Sequence, residues 1–302
     1  MNIMPVVQQI AMLLMLTLIG LYLRRSDVLN DGVVKGLNIL ALNFAWPAQV
    51  LTITQRDAGN LTPSYFLFLL GVSALVMSSI TLICYFVPGA RLPRERRTVF
   101  AGLCAMPNSG FVGVPLVQAA YGDEGVLYLS AFVVAFNLLW WTLYVGLFGG
   151  KVSLRQLLLN NGLIASVAAA LMFVLRVRMP EPFISLFSQL GAMTTPVTML
   201  LLGARLNDIK RIQDLADTLL WGSVAFRLLA VPLAVAAALR LLGMTGMALS
   251  VLVLACALPC ANSVQLFAER YNMDSVLASQ AISVSLVLCL GTIPLVMLLT
   301  GI

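Results

Sequence analysis

"CAMPNSGFVGVP", Cys104–Pro115, lies inside a stretch, 100–119, that otherwise reads as a membrane helix. Its twelve residues include two prolines, two glycines, an asparagine and a serine. Proline removes a backbone donor, glycine loosens the chain, and short polar side chains compete for backbone hydrogen bonds. In hydrocarbon, a freed N–H or C=O has no water to bond. Irregular backbone is tolerated at that depth only where protein or a watery cavity satisfies it. The segment therefore predicts a broken helix beside a lined cavity.

The surroundings are apolar throughout. The 302 residues are 61% hydrophobic and 10% charged, with a mean hydropathy of +0.99. Soluble domains are near half apolar and a quarter charged. An integral membrane protein is expected, with about 20 residues per helical span. The apolar runs are helix-length, which excludes a β-barrel of weak alternating segments. No polar stretch is long enough for a soluble domain. Ten spans are predicted, at 5–23, 33–53, 64–87, 100–119, 125–148, 157–175, 182–202, 218–242, 247–267 and 276–299.

Charge supplies the topology. Thirteen basic residues fall on one side of these spans: Arg24, Arg25, Lys35, Arg91, Arg94, Arg96, Arg97, Lys151, Arg155, Arg205, Lys210, Arg211 and Arg270. Four fall on the other: Arg56, Arg176, Arg178 and Arg240. The positive-inside rule puts the first side in the cytoplasm and both termini outside. The expected location is a bacterial inner membrane, with the termini in the periplasm. No Lys or Arg precedes the first apolar run, so no cleaved secretory signal is expected. The net charge of +6 is read as topology, not as a nucleic-acid surface.

The chain also has an internal echo. "CAMP" at Cys104–Pro107 recurs as "CALP" at Cys256–Pro259, 152 residues later. Each occupies the fourth span of a five-span half. Pro47 and Pro196 likewise fall mid-span in spans two and seven. Five is odd, so the second half begins on the opposite side of the membrane. The expected architecture is all-α, a five-plus-five inverted repeat with crossed discontinuous helices 4 and 9. The halves are residues 1–155 and 156–302. Inverted repeats with broken helices at the midplane are typical of secondary transporters.

These residues carry a family likeness. "MPNSGFVGVPLVQAAYGDEG" in span four resembles the N-x-G-F-x-G-x-P-L pattern of the auxin efflux carrier family. "NFAWPAQVL", "FNLLWWTLYVG" and "ALPCANSVQLFAERYNMDSVLASQAISVS" fit the same family, and the resemblance covers essentially the whole chain. It implies an elevator carrier for small organic anions, with substrate at the crossover of spans four and nine. The family's plant branch is implied to move auxin, and its bacterial branches malate or malonate. The long central loop of the plant members is absent, which matches the compact bacterial branch. The second half departs from the first, since "PCANS" replaces "PNSG", so the two half-sites differ chemically.

The motif assigns the substrate residues. Pro107 and Pro259 mark the crossover. Asn108, Ser109 and Gly110 line it from span four, and Asn262 and Ser263 from span nine. Gly113 permits close approach. Asn43 and Asn137 match family polar positions. Gln265 and Gln280, with Ser283, are further candidates at helical spacing. A structural alternative stands beside each, in which amides and hydroxyls only satisfy broken or neighbouring helices.

Arg227 is the one charge placed deep in a span, where insertion scales assign about 2.5–3.5 kcal/mol. It is either an anion's counter-charge or a structural arginine that bonds backbone carbonyls. All twelve acids fall in loops or at span ends, and there is no histidine. No intramembrane proton relay is expected, although Asp274 or Glu269 remain available near span ends.

The five cysteines, all in apolar runs, read as small buried hydrophobes, and no metal site is expected. Trp140 and Trp141 read as packing. Gly71, Gly146, Gly162 and Gly203 read as points of close helix contact. No cofactor is expected, and the coupling ion, H+ or Na+, is left open. The expected partners are a small organic anion and membrane lipid. Nucleic acid is excluded, and a homodimer is left open.

Rival classes are weaker. The potassium filter TVGYG and intramembrane acid rings are absent, which argues against a channel. Without histidine there is no H-E-x-x-H or Ser-His chemistry, so an enzyme is not expected. A sodium-coupled carrier of the bile-acid type would need a core acid that the spans lack.

Overall fold

The computed structural model describes residues 4–56, 61–150, 160–206 and 216–302. Lys151, Arg155, Lys210 and Arg211, and the expected boundary between halves at 155/156, lie outside the described residues. Every described element is helical, and the one strand-like feature is an isolated bridge.

The helices are α1 (Met4–Arg25), α2 (Asp31–Ile53), α3 (Pro63–Phe86) and α4 (Arg94–Ala105). Next come α5 (109–121) and α6 (123–147), which form one helical run divided at Gly122, whose φ is 67° and ψ −159°. The rest are α7 (Asn161–Val174), α8 (Glu181–Leu206), α9 (Thr218–Leu241), α10 (Gly246–Ala257), α11 (Asn262–Arg270) and α12 (Ser275–Thr300). Seven helical stretches among the described residues are long and apolar enough to cross a membrane. The run Ser109–Leu147 is one of them, and Asn161–Val174 and Gly246–Ala257 are apolar but shorter. The span expected at 100–119 in fact starts six residues earlier, at Arg94, and is two helices. Span 247–267 is likewise two helices.

Polar residues at span ends act as caps. Asn30, Thr62, Asn160, Asp217 and Asp274 each accept from a backbone N–H of the helix they open. Orphan donors at helix starts need such partners.

The helices fall into two packing groups. In the first, α1 lies along α8, and α2 packs on α7 and α8. The close approach is made by Gly203, where a Cβ would come 1.9 Å from the Thr17 carbonyl, and by Gly20 against the backbone of Leu200. Gly71 and Gly146 have nothing within 4 Å, and Gly162 meets only ordinary contacts from Asn160 and Trp46, so these three glycines make no unusually close helix contact. In the second group, α3 packs on α4 and on the α5–α6 run, α9 on α10, and α11 on α12. Its centre is the most deeply buried part of the protein: α10, the end of α4 and the first half of α6 are nearly closed to solvent.

The two broken helices meet at their breaks. Pro107 and Cys260 form the antiparallel bridge. The Asn108 N–H donates to the Pro259 carbonyl at 2.8 Å, and the Ala261 N–H donates to Met106 O at 3.0 Å. The Cys260 N–H donates to Ser285 Oγ at 3.1 Å. Backbone groups freed by the prolines of one half are thus satisfied by the other, which is how such a segment survives in oil.

Among the described residues, four π turns interrupt the helices: Ala41–Ala45, Ser109–Gly113, Trp140–Tyr144 and Phe226–Ala230. Three of them end two residues before a proline, namely Pro47, Pro115 and Pro232. Proline cannot donate to the carbonyl four residues back. For Pro47 and Pro115 those are the carbonyls of Asn43 and Phe111. Both are taken up from neighbouring helices: Asn161 Nδ2 donates to Asn43 O at 3.2 Å, and Thr195 Oγ1 to Phe111 O at 3.2 Å. Thr195→Val keeps the shape and removes the donor. It is expected to cost about 1 kcal/mol and to lower the thermal unfolding midpoint by about 2 °C. Thr195→Ser should leave the midpoint unchanged.

Candidate functional site

The break of the first half begins where α4 ends at Ala105. Asn108 then caps α5, its Oδ1 accepting from the Phe111 N–H at 3.2 Å. That bond leaves the Asn108 amide NH2 to donate elsewhere. In the second half, α11 starts after Ala261 and has no side-chain cap. Its first N–H groups therefore carry the uncompensated positive end of the helix dipole.

Above this crossing lies a cavity of about 460 Å³. The breaks contribute Pro107, Asn108, Ser109, Gly110, Asn262 and Ser263. The first packing group contributes Asn43 and Trp46 from α2, Asn161 and Gly162 from α7, and Asn160, which caps α7. Helix α6 adds Phe136, Asn137, Trp140 and Trp141, while Phe267 and Arg270 come from α11. The wall is thus carboxamides, hydroxyls, aromatic rings and the Arg270 guanidinium, with no acidic side chain among the described residues.

Three buried polar atoms in this wall have no protein partner: Ser109 Oγ, Asn262 Oδ1 and Ser263 Oγ. Ser109 is 1% exposed and Asn108 4%. Buried polar groups are ordinarily hydrogen-bonded, so three orphans on one cavity floor point to a ligand or ordered water. Asn137 donates to Val133 O at 3.0 Å, which leaves its Oδ1 for the cavity.

Eight of the thirteen candidate residues line the cavity: Asn43, Pro107, Asn108, Ser109, Gly110, Asn137, Asn262 and Ser263. Five are elsewhere. A Cβ on Gly113 would meet Leu258 Cδ1 at 2.6 Å, so Gly113 seats α5 on the other break. Pro259 presents its carbonyl to Asn108. Gln265 donates to Glu269 at 2.9 Å. Gln280 is buried on α12, and its neighbour Ser283 back-bonds to Ser279 O.

Arg227 is the fifth, and it stands among backbone carbonyls. It is 0% exposed and lies outside the cavity wall. Its Nε donates to Leu258 O at 3.0 Å, one terminal nitrogen donates to Cys104 O at 3.1 Å and Ala105 O at 3.4 Å, and the other donates to Ala255 O at 3.3 Å. These carbonyls end α4 and α10, where the last C=O groups of a helix lack partners and carry its negative pole. One guanidinium caps both half-helices. The acids near span ends are occupied as well: Asp274 caps α12 and pairs with Arg96 at 3.2 Å, and Glu269 accepts from Gln265.

Several lining residues were not singled out from sequence. Trp46 lies on Gly110 and meets Phe111 edge-on at 5.5 Å. Trp140 does pack, stacking on Tyr144 at 5.2 Å and meeting Phe267 edge-on at 4.8 Å, but it also walls the cavity. Arg270 reads from the sequence as a topology charge, and Asn161 carries no signal of its own. The only signal that could have raised Arg270 is position: it is eight residues, about two helical turns, beyond Asn262.

The sequence pattern of the family described as "membrane transport protein" matches residues 5–152 and again residues 147–297. The chain is similar to an uncharacterized transporter of Methanothermobacter thermautotrophicus, with 27% identity over 93% of this chain and 94% of the relative. It is also similar to an uncharacterized transporter of Methanocaldococcus jannaschii, with 22% identity over 91% of this chain and 92% of the relative.

Proposed function

The chain belongs to the membrane transport protein family, that of the auxin efflux carriers, and we propose that it is a secondary carrier of small organic anions, mono- or dicarboxylates such as malonate or malate. The observation that carries this reading is the cavity of about 460 Å³ at the meeting of two broken helices, with the hydroxyls Ser109 Oγ and Ser263 Oγ buried and unpartnered in its wall. Ligand pockets usually span about 300–1,000 Å³. A hydroxyl and an amide NH2 donate to a carboxylate, and the uncapped start of α11 adds positive potential.

The same reading takes the protein as ten spans in two inverted halves, 1–155 and 156–302, with α4–α5 and α10–α11 as crossed spans four and nine. The two family matches, which divide near residue 150, support it. Alternating access is of elevator type in this reading. The cavity's position between the group of α1, α2, α7 and α8 and the group built on the broken helices supports a sliding interface there. The membrane is a bacterial inner membrane with both termini in the periplasm.

Purified protein in proteoliposomes should take up at least one of labelled malonate, malate, oxalate or indole acetate. Uptake should saturate and be stimulated by the same anion inside. Proton, sodium and voltage gradients imposed separately identify the driving force. Uptake of no carboxylate would end the anion-carrier reading. Non-saturable uptake without trans-stimulation would favour a pore.

A further inference from the structure

Helix α11 presents one face to the cavity along its length, and its last residue is exposed. Asn262 and Ser263 lie at its start, Leu266 and Phe267 one turn on, and Arg270 at its end. Eight steps at about 1.5 Å make this face about 12 Å long. The two ends of a helix are not alike for an anion: the start carries about half a positive charge, the end about half a negative one. Unopposed, the end of α11 would repel an anion at the cavity mouth.

Arg270 stands at that end. It is the one cationic side chain lining the cavity among the described residues, and it is exposed. Its guanidinium lies 5.7 Å from the centre of the Tyr271 ring, and Tyr271 is braced by Phe267 at 5.7 Å and Phe148 at 6.3 Å. The neighbouring acid, Glu269, is engaged by Gln265 and does not line the cavity. Arg227, whose charge is spent on helix ends, does not compete for the role.

We propose that Arg270 is the charge that recruits the anion: it reverses the sign of the potential at the mouth and passes the substrate along α11 to Asn262 and Ser263. This rests on the carrier reading above and adds to it a specificity-determining residue and a side, since only anion arriving from the Arg270 side meets that charge first.

The test is initial-rate uptake of labelled malonate, malate, oxalate and indole acetate by wild type, R270Q and R270K, at low and high ionic strength and with protein sorted by orientation. At low salt, R270Q is expected to raise KM about five- to tenfold with kcat within about twofold, because the lost term is long-range attraction. The difference should shrink toward unity in about 0.5 M salt, where charges are screened within a few ångströms. R270K should restore the wild-type KM, and the effect should appear only for anion supplied from the Arg270 side. Wild-type uptake with R270Q unchanged at every salt concentration would overturn this inference alone. So would a loss of kcat with an unaltered salt dependence. Uptake of none of the four anions by wild type would overturn the carrier reading and this inference with it.

Discussion

Arg227→Leu is expected to lose the folded protein before it loses any transport step. The substitution leaves the carbonyls of Cys104, Ala105, Ala255 and Leu258 without the donor that now serves them. An unpaired buried polar group costs about 1–3 kcal/mol, and total stability is only about 5–15 kcal/mol. The carbonyls cannot reach water, because the ends of α4 and α10 are among the most buried segments. Arg227→Lys keeps the charge but replaces a planar fork of five donors by a compact ammonium with three. It is expected to fall between wild type and leucine. The measurement is thermal unfolding of purified protein in detergent, beside its yield as a monodisperse peak. A leucine variant that melts and transports like wild type would refute the cap. One that melts normally yet takes up no anion would restore the counter-charge role instead.

Gly110→Ala should be nearly as damaging, through shape alone. A Cβ at Gly110 would fall 2.0 Å from the ring of Trp46, closer than side-chain atoms approach. Something must move, and the crossing is bounded on its other face by Leu258 against Gly113. Overpacking a filled interior typically costs about 1–3 kcal/mol. Here the contact also joins α2 to the start of α5, the two surfaces that slide in the proposed mechanism. Uptake by G110A is therefore expected to fall at least about tenfold, the equivalent of about 1.4 kcal/mol in a barrier. Trp46→Leu removes the obstructing ring, so the double variant W46L/G110A should recover much of the lost uptake and stability. The coupling energy from the four proteins is the readout. Additive losses, with no recovery in the double variant, would show that the ring does not set the tolerance at Gly110.

The family resemblance and the internal echo marked both breaks, and the cavity wall holds most of the residues so marked. Asn108, Ser109, Asn262 and Ser263 were legible because polar residues beside a proline in an apolar run have few explanations other than a lined break. The aromatic walls were not. Trp46, Trp140 and Phe267 are apolar residues in apolar spans, and nothing in their spacing separates a cavity wall from a lipid face. Gln265 and Gln280 lie outside the wall: an amide at helical spacing from a site has the right period, but a neighbour on its own helix or a buried flank can take it up equally well.

The sequence by itself determined that this chain lives in a membrane, as helices, with two breaks marked by prolines. Composition and the cost of burying a charge or an unpaired backbone group leave little choice. Only the tertiary structure decided the assignments that depend on what lies opposite. It gave Arg227 to the carbonyls of α4 and α10 and put Arg270 in the cavity wall. It also paired Asn161 and Thr195 with the carbonyls that Pro47 and Pro115 set free. A sequence specifies which groups need partners. Helix packing decides which partner comes within 3 Å.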